Sequence, residues 1–471
     1  MLVILGFSVS ERCILLGTVR SFLLGTFTIV SACSLLTDVS GLGKGGSDAT
    51  IDAPLDVQSD ASPDAPPDPY NDMTNASLWS SFDLAQVTSA AKYATGFFGV
   101  AFDGRYLYLV PNADSTNYVP QGVMVRFDTT APFTSNTSWS TFDTTTVNAN
   151  ADGFAGAAFD GRYVYLVPNF SSAGRSGLVT RYDTTAGFTA AASWSTFDTT
   201  SVNPSSKSFI GATFDGRFVY FVPYYNGAYN GVTARYDTTA AFGSAGSWST
   251  FDISSVNPNA NGFVGAAFDG RFVYYVPLRT ATAVDGVVAR YDSTLSFVMP
   301  EAWSTFDATT VDTRAKGFEG AVFDGRYLYL VPYDAGTNAY DGVVARFDTT
   351  ASFTAIASWS TFDTANVNPA ARGFDFGAFD GRYVYLAPYF NNGALDGVVT
   401  RYDTTATFGA SASWSTFDAA SLNPNATGFE AAAFDGRYVY FVPSANSIIV
   451  RFDARSPPSM PKLPGWNGSF F

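Results

Sequence analysis

Apolar and polar positions follow one pattern that repeats along most of the chain. A ten-residue stretch, FDGRYLYLVP at 102–111, recurs in closely similar form from Phe159, Phe214, Phe268, Phe323, Phe379 and Phe434 onward, which makes seven copies about 55 residues apart. A long, regular period of this kind indicates a protein built from repeated supersecondary units. The pattern therefore predicts a repeat architecture.

Each copy predicts a β-hairpin. Asp-Gly lies between two apolar runs, and this dipeptide favours a type I′ turn, which needs positive φ at both central residues. In the first copy we expect strands at 99–102 and 106–110, with Pro111 ending the pairing. The second strand is apolar at nearly every position, so we expect it to be covered on both faces.

Two further motifs complete each repeat. Trp-Ser-Thr-Phe-Asp, or a close variant, begins at Trp79, Trp139, Trp194, Trp248, Trp303, Trp359 and Trp414. Arg-Tyr-Asp or Arg-Phe-Asp begins at Arg126, Arg181, Arg235, Arg290, Arg346, Arg401 and Arg451. Turn-forming residues separate these segments, so each unit holds four predicted strands. In the fourth unit they span 262–268, 271–276, 286–292 and 303–307.

Seven units of four strands resemble a seven-bladed β-propeller, an all-β fold. The ends of the repeated body, residues 78–453, support a closed ring. It begins with an isolated fourth strand at Trp79 and ends with a third strand at Asp453. In a propeller the N-terminal strand can complete the last blade, and no capping repeat is then needed. The units lack the signatures of WD40 and kelch repeats, and no characterised family is identified.

The repeated residues have structural and functional interpretations. Glycines such as Gly99 suit the crowded inner strand, whereas Trp and Phe of the fourth strand should pack against opposite neighbouring blades. For the tryptophans, stacking platforms for sugars are the alternative. The recurrent pairs Asp103 with Arg105 and Arg126 with Asp128 favour turns and ties between strands, with repeated calcium or ligand sites as the alternative.

The residues before the repeats resemble an export signal and a tether. Within 1–33, an apolar run ends in Ser31-Ala32-Cys33, which resembles a bacterial lipoprotein signal with Cys33 as the lipidated residue. Residues 34–77 combine Asp at every fourth position from 48 to 72 with several prolines, and predict a disordered acidic linker. Residues 454–471 are a C-terminal tail. We expect an exported protein, lipid-anchored at the bacterial outer membrane or cell surface, with no other membrane contact.

Composition argues against several kinds of chemistry. The formal net charge of −15 and the pI near 4.3 disfavour nucleic acid as a partner. Histidine is absent, and both cysteines, Cys13 and Cys33, precede the repeats, so the body lacks the commonest general base and any cysteine metal site. Neither a nucleophile elbow nor a phosphate-binding glycine loop occurs. We predict no catalytic residue, no metal ligand and no cofactor, with calcium left open.

Differences between the repeats suggest a site. After the first-strand phenylalanine the successive units have Phe98, Ala155, Ile210, Val264, Glu319, Asp375 and Glu430. The three acids should cluster on one side of the ring near its axis, as a site for a cation or a polar ligand. Local ion pairs are the alternative, because Lys316 precedes Glu319 by three residues and Arg372 precedes Asp375 by three.

The loops between the second and third strands vary most among the units. In a propeller they share one face with the loops that enter the first strand. Aromatic side chains with Asn and Asp among them suit contacts with glycans or protein surfaces. The candidate binding residues in these loops are Tyr224, Tyr225, Tyr229, Tyr333, Tyr389 and Phe390.

Together these features favour a non-enzymatic binding or adhesion module at the cell surface. We expect a monomeric propeller that recognises a glycan or a protein partner through the loop face. One alternative is a glycan-active hydrolase or lyase that uses Glu319, Asp375 and Glu430. The other is a structural surface protein without a soluble ligand.

Overall fold

The computed structural model describes residues 69–88, 90–336 and 340–455. The predicted signal with Cys33, most of the predicted linker and nearly all of the C-terminal tail lie outside the described residues. In chain order the strands are β1 (Trp79–Asp83), β2 (Phe97–Phe102), β3 (Tyr106–Pro111), β4 (Val123–Asp128), β5 (Trp139–Asp143), β6 (Phe154–Phe159), β7 (Tyr163–Pro168), β8 (Phe170–Ser171), β9 (Gly174–Arg175), β10 (Leu178–Asp183), β11 (Trp194–Asp198), β12 (Phe209–Phe214), β13 (Phe218–Pro223), β14 (Val232–Asp237), β15 (Trp248–Asp252), β16 (Phe263–Phe268), β17 (Phe272–Pro277), β18 (Val287–Asp292), β19 (Trp303–Asp307), β20 (Phe318–Phe323), β21 (Tyr327–Pro332), β22 (Val343–Asp348), β23 (Trp359–Asp363), β24 (Phe374–Phe379), β25 (Tyr383–Pro388), β26 (Phe390–Asn391), β27 (Ala394–Leu395), β28 (Val398–Asp403), β29 (Trp414–Asp418), β30 (Phe429–Phe434), β31 (Tyr438–Pro443) and β32 (Ile448–Asp453).

Helical structure in these ranges consists of single 3-10 turns next to the strands. Several of them directly follow the aspartate that ends a fourth strand and caps the turn; Asp143, for example, accepts a hydrogen bond from Thr145 N. Within the described ranges, no helix is long and apolar enough to cross a membrane. The turns are Ala76–Leu78, Leu84–Gln86, Ala91–Tyr93, Asn136–Ser138, Thr144–Thr146, Ala191–Ser193, Thr199–Ser201, Ala245–Ser247, Ile253–Ser255, Pro300–Ala302, Ala308–Thr310, Ile356–Ser358, Thr364–Asn366, Ser411–Ser413 and Ala419–Ser421.

The main strands form seven four-stranded antiparallel sheets, which confirms the predicted seven-bladed β-propeller. Six blades follow the chain, in the orders β2-β3-β4-β5, β6-β7-β10-β11, β12-β13-β14-β15, β16-β17-β18-β19, β20-β21-β22-β23 and β24-β25-β28-β29. The two-stranded sheets β8-β9 and β26-β27 lie in loops between second and third strands. The predicted strands of the fourth unit match β16 to β19 to within one residue at each end.

The seventh blade closes the ring. Its order is β30-β31-β32-β1, with Trp79 opposite Phe452 and Asp83 opposite Ile448, so the N-terminal strand completes the last blade as predicted. Residues just before β1, assigned above to the linker, also contact this blade: Asn71 N donates to Ala454 O at 2.9 Å, and Met73 is fully buried. The closing contacts therefore begin upstream of the strand itself.

The predicted hairpin is present in each blade, but its turn is not the expected type I′. In the first blade Gly104, with φ +97°, is the first central residue of the turn, and Asp103 has no positive φ. Asp103 Oδ1 instead accepts the backbone N–H groups of Arg105 and Tyr106 at 2.8 and 2.6 Å. Glycine at the first central position with ordinary φ at the second is the arrangement of a type II′ turn. The aspartate therefore serves as a hydrogen-bond acceptor at the start of the turn.

Recurrent Arg and Asp residues tie the strands of a blade together. Arg105 Nη2 lies 2.7 Å from Asp128 Oδ2, so it joins the first hairpin to the end of the third strand. The guanidinium of Arg126 lies over the ring of Phe188 in the next blade, 4.3 Å from its centroid. Equivalent Arg–Asp pairs occur throughout the ring. The repeated Arg and Asp residues therefore form turns and tie strands together, which is the structural interpretation given above.

Aromatic stacking joins neighbouring blades. Trp194 stacks on Phe142 of the preceding blade at 4.7 Å between ring centroids, and Phe197 stacks on Trp248 of the following blade at the same distance. Trp and Phe of one strand thus face opposite neighbours, as predicted. The tryptophan of each fourth strand is buried, with an exposed fraction of 5–7%. These tryptophans are core residues and offer no open platform for a sugar.

Candidate binding site

The axis of the ring is lined by one residue from each innermost strand. The second residue of each of these strands lies at a β-bulge that interrupts its pairing with the second strand. On one side these residues are apolar, and Ala155, Ile210 and Val264 pack into a single cluster with Phe98 and Phe376. On the other side the equivalent residues are Glu319, Asp375 and Glu430. The structure therefore places the three acids together beside the axis.

Two of these acids are buried with oxygen atoms that lack partners. Asp375 is 4% exposed and Glu430 is 3% exposed, whereas Glu319 is partly exposed. Asp375 Oδ1 and Glu430 Oε2 accept no hydrogen bond from the described residues. A buried polar atom without a partner costs free energy, so such atoms are rare and need an explanation.

The local ion pairs considered above are absent. Within the described ranges, neither Lys316 nor Arg372 forms an ion pair with the acid that follows it, and no cation acts on the pKa of Glu319 or Asp375. That alternative was wrong because both acids lie at the axis, inside the crowded ring, while the bases belong to the loops that lead into it.

The acids shift one another's ionisation. Burial, and then the negative charges of Glu430 and Glu319, raise the pKa of Asp375 well above its usual value. Burial and then Glu319 do the same for Glu430, and hydrogen bonding to Ser444 and Tyr389 partly opposes this. For Glu319, burial and then Asp334 raise the pKa to about 8. The group therefore holds protons at a pH where ordinary carboxyl groups have lost them.

Three tyrosines stand beside the acids. Tyr224, Tyr333 and Tyr389 each follow the proline that ends a second strand. The charge of Glu430, and then burial, raise the pKa of Tyr389, whereas for Tyr333 burial comes first and the charge of Asp375 second. We call these three tyrosines and the three acids the axial mouth.

The candidate aromatic residues form two clusters. In the Tyr229 cluster, the ring centroid of Tyr229 lies 5.4 Å from that of Tyr224 and 5.1 Å from that of Tyr225. The Tyr340 cluster contains Tyr333, Tyr340, Tyr389 and Phe390, with neighbouring centroids 5.1–6.2 Å apart. All of these rings are half-buried. They therefore present edges and parts of faces to solvent from fixed positions.

The predicted sharing of one face by the two sets of loops is observed. Asn391 Nδ2 donates to Ala370 O at 2.9 Å, and Asn226 Nδ2 donates to Ser205 O at 2.9 Å. Each bond joins a loop after a second strand to the loop that enters the first strand of the same blade. The aromatic clusters and the axial mouth therefore belong to a single face, which we call the loop face.

Phe376 is a site residue that the sequence analysis missed. It occupies the position held by Gly320 in the preceding blade, and a Cβ on Gly320 would lie 2.8 Å from its ring. Its side chain is 7% exposed and reaches Ala155 and Ile210 across the axis. A small apolar cavity lies against this ring, among the glycines and alanines of the inner strands. Comparison of the repeats at this position would have revealed it.

A second set of unusual acids precedes the third strands of three consecutive blades. Burial raises the pKa of both Asp285 and Asp396 to about 6, and it also raises that of Asp341. In each the Oδ2 atom is buried without a hydrogen-bond partner in the described ranges. Arg314 lies 3.6 Å from Asp341 Oδ1, and the neighbouring backbone N–H groups bind the carboxyl group. These aspartates lie two residues before the third strands and are not members of the axial mouth.

No metal-binding cluster is found in the part of the chain that the structure describes. No three Asp or Glu side chains there lie close enough together to hold one ion. Calcium binding, left open from the sequence, thus has no ready-made site among these residues.

Comparison with known proteins supports the fold alone. No family model and no curated protein matches the chain. A solved virginiamycin B lyase from Staphylococcus aureus, a catalytically inactive form with quinupristin, is 12% identical with a TM-score of 0.52, over 80% of this chain and 99% of the other. The β-propeller domain of Cps50 (Swd1) from Myceliophteria thermophila is 11% identical with a TM-score of 0.47, over 76% and 97%. At such identities the function of these proteins does not transfer.

Proposed function

We propose that this propeller is a non-enzymatic binding module that recognises a glycan through its loop face. The observation that supports this most directly is the pair of half-buried aromatic clusters beside the buried acids of the axial mouth. Specific binding sites commonly combine aromatic surface with a few fixed polar groups. Here both are supplied by one face of a closed ring.

The chemistry of the loop face suits a sugar. A ring such as Tyr340 can stack against the C–H face of a pyranose, while carboxylate and amide oxygens accept hydrogen bonds from its hydroxyl groups. Because the rings contact one another at fixed distances, they lose little conformational freedom on binding. A protein partner would use the same aromatic residues, and it is the alternative ligand within this proposal.

The place of action is part of the proposal. The predicted lipidation at Cys33 and the acidic linker would display the propeller at the bacterial surface, where glycans are accessible. Metabolic labelling with a radioactive or alkyne fatty acid tests this: we expect label in the chain and none after Cys33→Ser. Label retained by that variant would contradict the anchor.

A glycan array with the full chain tests the binding function. We expect specific binding that falls at least tenfold in Tyr340→Ala/Phe390→Ala, which removes two rings of the Tyr340 cluster. The control is Leu295→Ala, because Leu295 is 49% exposed in a turn between third and fourth strands, at the opposite end of its blade. A silent array, followed by no partner in surface cross-linking, would favour the structural alternative.

A glycan-active enzyme is the second candidate, favoured by one observation. Interacting carboxyl groups with raised pKa values, such as Glu319 and Glu430, are the kind of pair from which glycosidases draw a general acid. The triple variant Glu319→Gln/Asp375→Asn/Glu430→Gln discriminates. An enzyme would lose turnover of the bound glycan, whereas a binding module would never have shown turnover.

A further inference from the structure

The axial mouth has an excess of negative groups that the chain itself leaves unbalanced. Glu319, Asp375 and Glu430 are the second residues of the inner strands of three consecutive blades, and their charges act on one another. In the described ranges no Lys or Arg forms an ion pair with any of them. Buried carboxyl groups are normally paired with a cation or satisfied by several hydrogen bonds. No cationic side chain of the described residues therefore offsets the charge of this set.

Two buried oxygen atoms mark where such a charge would bind. Asp375 Oδ1 and Glu430 Oε2 have no hydrogen-bond partner among the described residues, although both side chains are more than nine-tenths buried. They belong to adjacent blades, and the charges of both carboxyl groups act on the same tyrosine, Tyr389. Both free acceptors thus belong to the axial mouth.

Aromatic rings complete the surroundings. The rings of Tyr333 and Tyr389 are 6.2 Å apart between centroids and inclined by 38°, and both tyrosines are affected by the charges of the acids. The charge of Glu319 acts in the same way on the pKa of the third tyrosine, Tyr224. A cation near the face of an aromatic ring is attracted by the electron density of that ring. Acids and rings together form a pattern known for organic ammonium groups.

An organic cation fits this arrangement better than a metal ion. A metal ion needs several oxygen atoms at bonding distance, and no three acids of the described residues lie that close together. An ammonium group is larger, donates hydrogen bonds to separated oxygen atoms or contacts them, and is attracted by aromatic walls. A neutral sugar hydroxyl could donate to the free oxygen atoms, but it would leave the charge uncompensated.

We propose that the axial mouth binds an alkylammonium group of the ligand, with Asp375 and Glu430 as its counter-charges and Tyr333 and Tyr389 as its aromatic walls. This inference rests on the proposed function, because it names the part of the ligand that enters the centre of the loop face. Phe376, which follows Asp375 in the chain, is 7% exposed and belongs to the apolar cluster of the inner strands. The ligand class is therefore an amine-bearing molecule such as an amino sugar or a lysine side chain.

The cation should compete with protons. Burial and mutual repulsion raise the pKa values of the empty acids, and a bound cation stabilises their ionised form, so binding releases protons in the pH range where the empty acids hold them. Affinity should rise with pH, by up to tenfold per pH unit for each proton released. Other ionisable groups that face the acids or their tyrosines belong to neighbouring loops: Tyr118, Tyr229, Arg279, Asp334 and Tyr340.

Calorimetric titration of the full chain with choline tests the proposal. Choline has a fixed charge, so its own ionisation does not contribute, and its neutral carbon isostere is the matched probe. We expect choline to bind and the isostere to bind at least tenfold more weakly. Asp375→Asn/Glu430→Gln should weaken choline binding at least tenfold, whereas Glu301→Gln, a change in an exposed 3-10 turn, should not. The amide variants keep the volume of the side chains, and circular dichroism checks their fold.

Two outcomes would overturn the inference: equal binding of choline and its isostere, or unchanged choline binding in Asp375→Asn/Glu430→Gln. Glucosamine compared with N-acetylglucosamine, and acetyl-lysinamide compared with its norleucine analogue, identify the source of the ammonium group. Failure of all the amines with a positive glycan array would reject the ammonium site and keep the glycan function. Amine binding with a silent array would keep the ammonium site and reject the glycan function.

Discussion

At the scale of the residue, the repeated aspartate of each hairpin has three roles that its sequence context only partly reveals. Asp215 Oδ1 accepts the backbone N–H groups of Arg217 and Phe218 at 2.8 and 2.6 Å, and its Oδ2 accepts the hydroxyl of the buried Tyr220 at 2.6 Å. The Asp-Gly motif predicted the hairpin. It did not predict the turn type, because the aspartate is fixed by bonds to two backbone N–H groups later in the turn and to a tyrosine hydroxyl beyond it.

Close packing of the inner strands gives a prediction for Gly211. A Cβ at this position would lie 2.5 Å from Val264 O in the next blade, so the two strands would have to separate. We expect Gly211→Ala to lower the free energy of unfolding by about 1–3 kcal/mol. Urea denaturation followed by tryptophan fluorescence measures it.

Gly243 provides the matched control, because a Cβ there would meet no atom within 4 Å. Gly243→Ala should be neutral or stabilise by a few tenths of a kcal/mol, about the effect of a stiffer unfolded chain. Equal effects of the two alanines would contradict close packing at the axis.

The acids of the axial mouth predict a loss of stability with rising pH. Their pKa values are raised in the folded protein, so above the ordinary glutamate value of 4.5 the unfolded chain releases protons that the folded chain keeps. The melting temperature should therefore fall as the pH rises from about 4.5 to about 8, the pKa of Glu319. Glu430→Gln should flatten this slope and raise the melting temperature at pH 8, with about 1.4 kcal/mol for each pKa unit removed.

Asp183→Asn is the control that separates the effect of the axial acids on stability from that of a carboxylate whose pKa is lowered. Hydrogen bonding from Arg162 lowers the pKa of Asp183 to about 2, so its contribution is complete above its usual value of 3.8 and is lost only as the pH falls towards 2. The slope between pH 4.5 and pH 8 should therefore survive in this variant. A slope that Glu430→Gln leaves unchanged would mean that Glu430 ionises normally in the folded protein.

At the scale of the element, the fourth strand of each blade owes its position to one Trp and one Phe that face opposite ways. This arrangement was predictable, because residues three apart on a strand lie on opposite faces. The partner rings were not predictable from one unit alone. Trp79 stacks on Phe417 at 4.5 Å, a contact between residues more than three hundred positions apart.

The closing strand β1 should be the element most easily detached. Trp79 also contacts Phe452 at 5.0 Å and donates from Nε1 to Met73 O at 2.8 Å. Trp79→Ala should lower the free energy of unfolding by about 3–5 kcal/mol and speed amide exchange in β32, since β1 alone covers that edge. Hydrogen-exchange mass spectrometry measures it.

Trp248 is the internal counterpart of Trp79, with Phe197 at 4.7 Å. Trp248→Ala should cost a similar free energy, but β14 should stay protected, because a short chain segment connects it to β15. Equal exchange of β14 and β32 in the two variants would argue that ring closure is no weaker than the other blades.

At the scale of the whole molecule, Phe376 connects opposite sides of the ring. It belongs to the sixth blade and shares one buried apolar cluster with Ala155 and Ile210 of the second and third blades. We expect Phe376→Ala to lower the free energy of unfolding by about 3–5 kcal/mol, because neither side can move inward to fill the space. Phe170→Ala, at a ring that is 42% exposed, should stay within about 0.5 kcal/mol. Thermal unfolding of both variants measures this difference in stability.

The amino-acid sequence by itself determined the number of blades, the strands of each blade and the closure of the ring. The reason is that these features depend on short-range patterns, which are repeated seven times and reinforce one another. Several members of the candidate site were also visible, because Glu319, Asp375 and Glu430 interrupt a repeat that is otherwise regular.

Only the tertiary structure decided which of these groups are buried, paired or free. Lys316 is three residues from Glu319 in the chain yet forms no ion pair with it, and Phe376 belongs to one buried cluster with residues of distant blades. Burial and unsatisfied oxygen atoms arise where seven blades converge, from residues far apart in the chain. No local pattern contains that distance information, so the chemistry of the axial mouth became visible only in the closed ring.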